Sequence, residues 1–123
     1  MQCLDSSAAI ELLRGSEKGR RIKELLSDSV FITAFSVHEL LAGLRNSELK
    51  TVEDFIRGLE ILSYDAVCAI RSSAIEKSLS KRGRKINIVD VFIASICINN
   101  NKTLITTDKD FAHIKELEAK IIS

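Results

Sequence analysis

Short apolar runs alternate with apolar positions at helical spacing from one end of this chain to the other, and that alternation sets the expected elements. Met1 to Leu4 is a short apolar run bounded by Asp5 and Ser6, and it reads as a strand. Ala8, Ala9, Ile10, Leu12 and Leu13 then follow at helical spacing until Gly15, a glycine stop. A second helix is expected over Glu17 to Leu26, a strand over Val30 to Thr33, and a helix opening at Ser36 and closing at Gly43. Leu49, Val52, Phe55, Ile56 and Leu59 share one face of a helix over Glu48 to Leu59, and a third strand is expected over Ile61 to Tyr64. A long helix from Asp65 to about Lys81 carries Val67, Ile70, Ala74, Ile75 and Leu79 and stops at Gly83. Ile88 to Asn99 reads as a buried helix, Thr103 to Thr106 as a strand, Phe111 as part of a short helical turn, and Ile121 with Ile122 as a terminal strand.

Strands that alternate with helices need right-handed crossovers, so the expected fold class is α/β, with a mainly parallel sheet covered on both faces. In open sheets of this kind the ligand crevice lies outside the carboxyl ends of the strands. No Pro, repeat, low-complexity tract or Gly/Ser-rich linker divides the chain, and 123 residues suffice for one core, so residues 1–123 are expected to form a single domain.

Composition changes this picture only by exclusion. Apolar residues make up 46% of the chain and charged residues 28%, a balance that excludes an intrinsically disordered chain. The net charge of +1 creates no global field toward nucleic acid or anionic lipid, so any attraction to phosphate must be local. Setting four of the 17 acids aside against the 18 basic residues leaves the remainder mildly basic, at +5. Cys3, Cys68 and Cys97 are odd in number, far apart and embedded in apolar runs, which suggests neither a disulfide framework nor a zinc site. A reducing, cytoplasmic setting is therefore expected. No uncharged run approaches the roughly 18 residues of a spanning helix, so no membrane partner is expected.

Chemistry concentrates in the acids. Asp5 follows the first strand and Asp108 follows the strand ending at Thr106, so both are expected at the carboxyl edge of the sheet. Glu39 and Asp90 sit early in two otherwise apolar helices, where a carboxylate is costly to bury unless something positive compensates it. Each acid also has a local reading. Ser36-Val37-His38-Glu39 fits a capping box, Asn87-Ile88-Val89-Asp90 has a similar shape, Asp108 or Thr107 fits the cap of the turn before Phe111, and Asp5 fits the cap of its own helix. Converging instead, the four would repel one another and raise their own pKa values until a hard divalent cation relieved them. The chemistry such a cation permits is displacement at a phosphodiester.

Four stretches carry a family resemblance: Cys3-Leu4-Asp5-Ser6-Ser7-Ala8, Ser36-Val37-His38-Glu39-Leu40-Leu41-Ala42-Gly43, Ile88-Val89-Asp90-Val91-Phe92-Ile93-Ala94 and Leu104-Ile105-Thr106-Thr107-Asp108-Lys109-Asp110-Phe111. In their order and spacing across almost the whole chain they resemble the PIN-domain ribonucleases, in particular the VapC-type toxins of prokaryotic toxin–antitoxin pairs. The resemblance implies a three-layer α/β/α sandwich around a short, mainly parallel sheet. It implies a metal-dependent endoribonuclease in which Asp5, Glu39, Asp90 and Asp108 bind Mg²⁺ or Mn²⁺ and carry catalysis. It also implies supporting roles for Thr106, for Ser7 through a bond to a neighbouring carboxylate, and for Asp110 in the outer shell or in place of Asp108. RNA as substrate, a homodimer and an antitoxin protein as partner are implied in the same way.

Outside these stretches, the basic run Lys81-Arg82-Gly83-Arg84-Lys85 fits either an RNA-backbone contact or a solvated helix end. Arg14 and Lys109 are weaker phosphate candidates on the same grounds. His38 and His113 have neither zinc-ligand spacing nor a nucleophilic neighbour, and the aromatic residues form no basic-aromatic stripe. Two rival functions are a non-catalytic PIN-like module that binds RNA or protein, and a receiver-like signalling domain. The receiver resemblance calls for adjacent acids after the first strand and a late Lys-Pro, neither of which occurs here.

Overall fold

Each strand is only three or four residues long, yet most are apolar toward both faces, which is the pattern of a parallel sheet covered on both sides. The computed structural model describes residues 1–123, in the order β1 (Gln2–Leu4), α1 (Ser6–Arg14), α2 (Glu17–Leu25), β2 (Val30–Thr33), α3 (Ala34–Ala42), α4 (Leu49–Arg57), β3 (Glu60–Leu62), α5 (Ala66–Lys81), α6 (Ile88–Asn99), β4 (Thr103–Thr106) and β5 (Ala119–Ile121). Short 3₁₀ turns at Asn46–Glu48 and Lys109–His113 lead into α4 and follow β4. The five strands are all parallel, in the order β3-β2-β1-β4-β5.

Three layers follow from alternating burial along the strands. Cys3, Phe31 and Leu104 face one side, where Ile75 and Leu79 of α5 and Val91, Ala94 and Cys97 of α6 cover them. Leu4, Ile32 and Ile105 face the other side, covered by Ala8 and Ala9 of α1, Ile22 of α2, Leu40 of α3 and Val52 and Ile56 of α4. The expected α/β/α sandwich is therefore present. The chain lays β2 and β3 on one side of β1 before returning to lay β4 and β5 on the other. The β1/β4 pair is thus the switch point of the sheet, where such folds open a crevice.

Expected bounds shift in several elements. The third helix opens at Ala34 rather than Ser36, because β2 runs straight into it and Thr33 supplies the cap, accepting the Ser36 N–H at 3.2 Å. The third strand is Glu60–Leu62 rather than Ile61 to Tyr64. In α5 the buried stripe is Cys68, Ser72, Ile75 and Leu79, whereas Val67 and Ile70 are 61% and 73% exposed. Ser72 can occupy a core stripe because its hydroxyl donates to the Ala69 carbonyl at 3.1 Å and meets the Tyr64 hydroxyl at 2.7 Å.

Candidate functional site

Asp5 emerges from the central strand directly into the cap of α1, as its local reading expected. One carboxylate oxygen, Oδ1, accepts the Ser6 N–H at 2.8 Å. The other, Oδ2, accepts the Thr106 hydroxyl at 2.7 Å and the Ser7 hydroxyl at 3.0 Å. These hydroxyls also organise the segment after β4. Thr106 Oγ1 accepts the Asp108 N–H at 3.0 Å, and Ser7 Oγ accepts the Thr107 N–H at 3.1 Å. Two small side chains therefore fix where Asp108 stands relative to Asp5, and Thr106 does so from full burial. Asp108 in turn caps the 3₁₀ turn, accepting the Asp110 N–H at 2.9 Å.

The other two acids arrive on helices from opposite layers. Glu39 is on α3, and its Oε1 accepts the Ser6 hydroxyl at 3.1 Å. The capping-box reading of Ser36 and Glu39 does not hold: Ser36 lies inside the helix and Thr33 caps it, so Glu39 is free for the crevice. Asp90 is in the first turn of α6, whose cap is Asn87 alone, through the Val89 N–H at 2.8 Å. Ser6, which links Glu39 to the Asp5 turn, was missed in the sequence. Its only signal there was adjacency to Asp5.

Electrostatics record the convergence. Asp90 is pushed up to about 7 from 3.8, first by burial and then by Asp5, Asp108, Glu39 and Asp110 in that order. No hydrogen bond offsets this. Asp5 is also raised, by burial above all, with the hydrogen bonds from Thr106, Ser7 and Ser6 opposing and Asp108 adding repulsion. The ion pairs of the chain are Lys50–Asp54 and Arg57–Asp54 on α4, so no lysine or arginine neutralises the crevice acids. No three of them stand as close together as direct ligands of one ion would. The donor set is nonetheless all oxygen and negative, which suits a hard divalent cation that retains waters between itself and some carboxylates.

The pattern of the PIN domain matches residues 3–117, a span that contains every acid of the crevice. This chain belongs to the PIN-domain family. Among PIN-domain relatives it is 30% identical over 118 residues to Ribonuclease VapC5 of Mycobacterium tuberculosis, covering 89% of this chain and 84% of that one. It is 31% identical over 120 residues to Ribonuclease VapC1 of Methanocaldococcus jannaschii, covering 96% and 84%. The fold is shared with the crystal structure of VapBC2 from Rickettsia felis bound to a promoter DNA fragment, at a TM-score of 0.86 and 24% identity over 99% of this chain and 98% of that one. Within this PIN domain, all seven residues singled out from the sequence stand at or beside the β1/β4 switch point: Asp5, Ser7, Glu39, Asp90, Thr106, Asp108 and Asp110. Asp108 is the better placed of the last two acids. It is half-buried and acts on both Asp5 and Asp90, whereas Asp110 is exposed and acts on Asp90 alone.

Proposed function

We propose that this chain is a Mg²⁺- or Mn²⁺-dependent endoribonuclease, the toxin of a toxin–antitoxin pair, working as a single domain in the cytoplasm. The observation that carries this is the convergence of Asp5, Glu39, Asp90 and Asp108 at the sheet's switch point with no lysine or arginine paired to them. Asp5, Asp90, Asp108 and Glu39 would hold the ion, directly or through water, with Asp110 beside them. When bound there, a divalent cation would supply the positive charge these carboxylates lack and lower the pKa of a water for attack on phosphorus. The chain's own part is orientation. Thr106 and Ser7 hold Asp5 so that Oδ1 keeps lone pairs for a ligand, Ser6 steers Glu39, and the Asp108 cap sets the far wall of the crevice.

Relatives named as ribonucleases support RNA as the substrate. Complexes such as that of VapBC2 support an antitoxin partner. An apolar groove of about 360 Å³ between α1, α3 and α4, lined by Leu13, Leu40 and Val52 and ending at Glu39, offers an antitoxin segment a route to the acids. A homodimer is supported by the exposed apolar side chains of the edge strand and its neighbouring helix, Ile61, Val67 and Ile70. The three free, buried cysteines fit a reducing compartment. Incubating a labelled single-stranded RNA with the chain in Mg²⁺, Mn²⁺ or EDTA, beside an Asp90→Asn variant, tests the reading. Cleavage should require the metal and Asp90, and cleavage that survives either loss would overturn it.

A further inference from the structure

Away from the acid site, an opening of about 910 Å³ lies between the second half of α5, the connection 82–87 and the first turn of α6. Lys77, Arg84 and Lys85 ring it above a floor that includes Leu79 and Val91, and Glu76 is its one acid. None of the three cations takes part in an ion pair.

The turn that builds this crevice is pinned in place. The Gly83 N–H bonds to the Ser80 carbonyl at 3.0 Å and the Arg84 N–H to the Leu79 carbonyl at 2.8 Å, with Gly83 in the left-handed conformation at φ +67. That is the Schellman closure of a helix, and it sets Arg84 on the crevice side. The basic run is thereby sorted. Arg82 is committed elsewhere, its guanidinium donating to the His113 carbonyl at 2.8 Å, while Arg84 and Lys85 join Lys77 around the opening. The Arg82 bond ties this turn to the 3₁₀ segment that Asp108 caps. Val91 on the crevice floor is also the immediate neighbour of Asp90 on α6. At a rise of about 1.5 Å per residue, the basic crevice and the acid site are two sides of one helix end.

We propose that this crevice holds the sugar-phosphate backbone of the RNA on one side of the cleavage point, with Lys77, Arg84 and Lys85 as its phosphate contacts. This rests on the ribonuclease reading. Carboxylates gathered for a metal repel a polyanion, and a net charge of +1 supplies no global attraction, so the strand needs local cations beside them. The apolar floor suits the sugars and base faces of an unpaired strand.

The test is fluorescence anisotropy with a labelled single-stranded RNA oligonucleotide of mixed sequence. The full chain carries Asp90→Asn to keep the RNA whole, with and without Lys77→Gln, Arg84→Gln and Lys85→Gln together. The triple substitution should weaken binding about tenfold or more at low salt and flatten the plot of log affinity against log salt by about 2, since each single-strand phosphate contact contributes about 0.7. Lys18→Gln, Arg20→Gln and Lys23→Gln on α2, across the sheet, make the same charge change and should leave that slope in place. Unchanged affinity and slope in the crevice variant, or an equal loss in the α2 variant, would overturn the proposal. So would a crevice variant that loses binding to poly-glutamate while keeping its RNA affinity and slope, since that assigns the crevice to an acidic peptide. Cleavage by the unsubstituted chain separates the two levels: cleavage with an unchanged slope removes the crevice alone, and no cleavage removes both.

Discussion

Asp90 stands among like charges without a hydrogen bond, so removing its charge should stabilise the metal-free protein. Its ionisation is raised to about 7 from 3.8. A folded-state pKa above the unfolded value means that protonated Asp90 favours the fold at low pH, and that this contribution is lost as pH rises through about 7. The shift alone corresponds to a ceiling of about 4 kcal/mol above neutrality. Asp90 is only half-buried, and solvent screening brings the cost down to roughly 1–2 kcal/mol. Asp90→Asn keeps the shape and removes this cost. In EDTA at about pH 8 it should melt roughly 4–8 °C above the parent, and the gain should shrink as pH falls through about 7 and nearly vanish below about pH 3, where the parent's Asp90 is largely protonated in both states. Mg²⁺ should raise the parent's Tm and narrow or reverse the difference. The assay is a set of thermal melts across pH with and without metal. A variant that melts below the parent at high pH without metal, or one that gains as much at low pH, would show Asp90 to be a structural partner rather than a strained charge.

Four further outcomes follow. Thr106→Val removes a 2.7 Å hydrogen bond to buried Asp5 and the acceptor for the Asp108 N–H, so urea unfolding should show a loss of about 2–3 kcal/mol, largely restored by Thr106→Ser. Gly19→Ala would drive a Cβ into the Glu11 carbonyl where α1 and α2 meet and should cost at least 2–3 kcal/mol by the same assay, roughly the range for overpacking. Gly43→Ala, whose Cβ would meet the Glu39 carbonyl at an ordinary 3.5 Å, should change stability by less than about 0.5 kcal/mol. Calorimetric Mg²⁺ affinity should rise with pH up to about 7 and then level off, with proton release below it, because binding must displace the Asp90 proton. A flat profile there would separate Asp90 from the metal.

The fold was legible because periodicity is a local property. Every strand and helix of the sandwich announced itself through spacing, and two of the shifts, one of boundary and one of face, have local causes. Thr33 and Ser36 are both competent caps three residues apart, and only the direct passage from β2 into α3 makes Thr33 the one used. In α5 the polar Ser72 interrupts the buried stripe in the sequence, so the neighbouring stripe of Val67, Ile70 and Ala74 looked more apolar than the true one. The site was legible only in part. Asp5 and Asp108 could be placed at the carboxyl edge from strand ends, but Glu39 and Asp90 needed the family resemblance, since their repulsive neighbours lie far away in the chain. The partnership of Ser6 with Glu39 depends on how α1 meets α3 across 33 residues of sequence, which no spacing rule reports. The basic run was visible, yet which of its members face an opening depends on the turn at Gly83 and the bond made by Arg82.

Four carboxylates from three layers of the sandwich would together hold the divalent metal of the proposed nuclease. A crystal soaked in Mn²⁺ and measured for anomalous scattering tests it most directly. The account predicts a manganese peak in the crevice between the ends of β1 and β4, held directly or through water by Asp5, Glu39, Asp90 and Asp108. Manganese bound elsewhere with that crevice empty, or a peak touched by only one of the four, would contradict it.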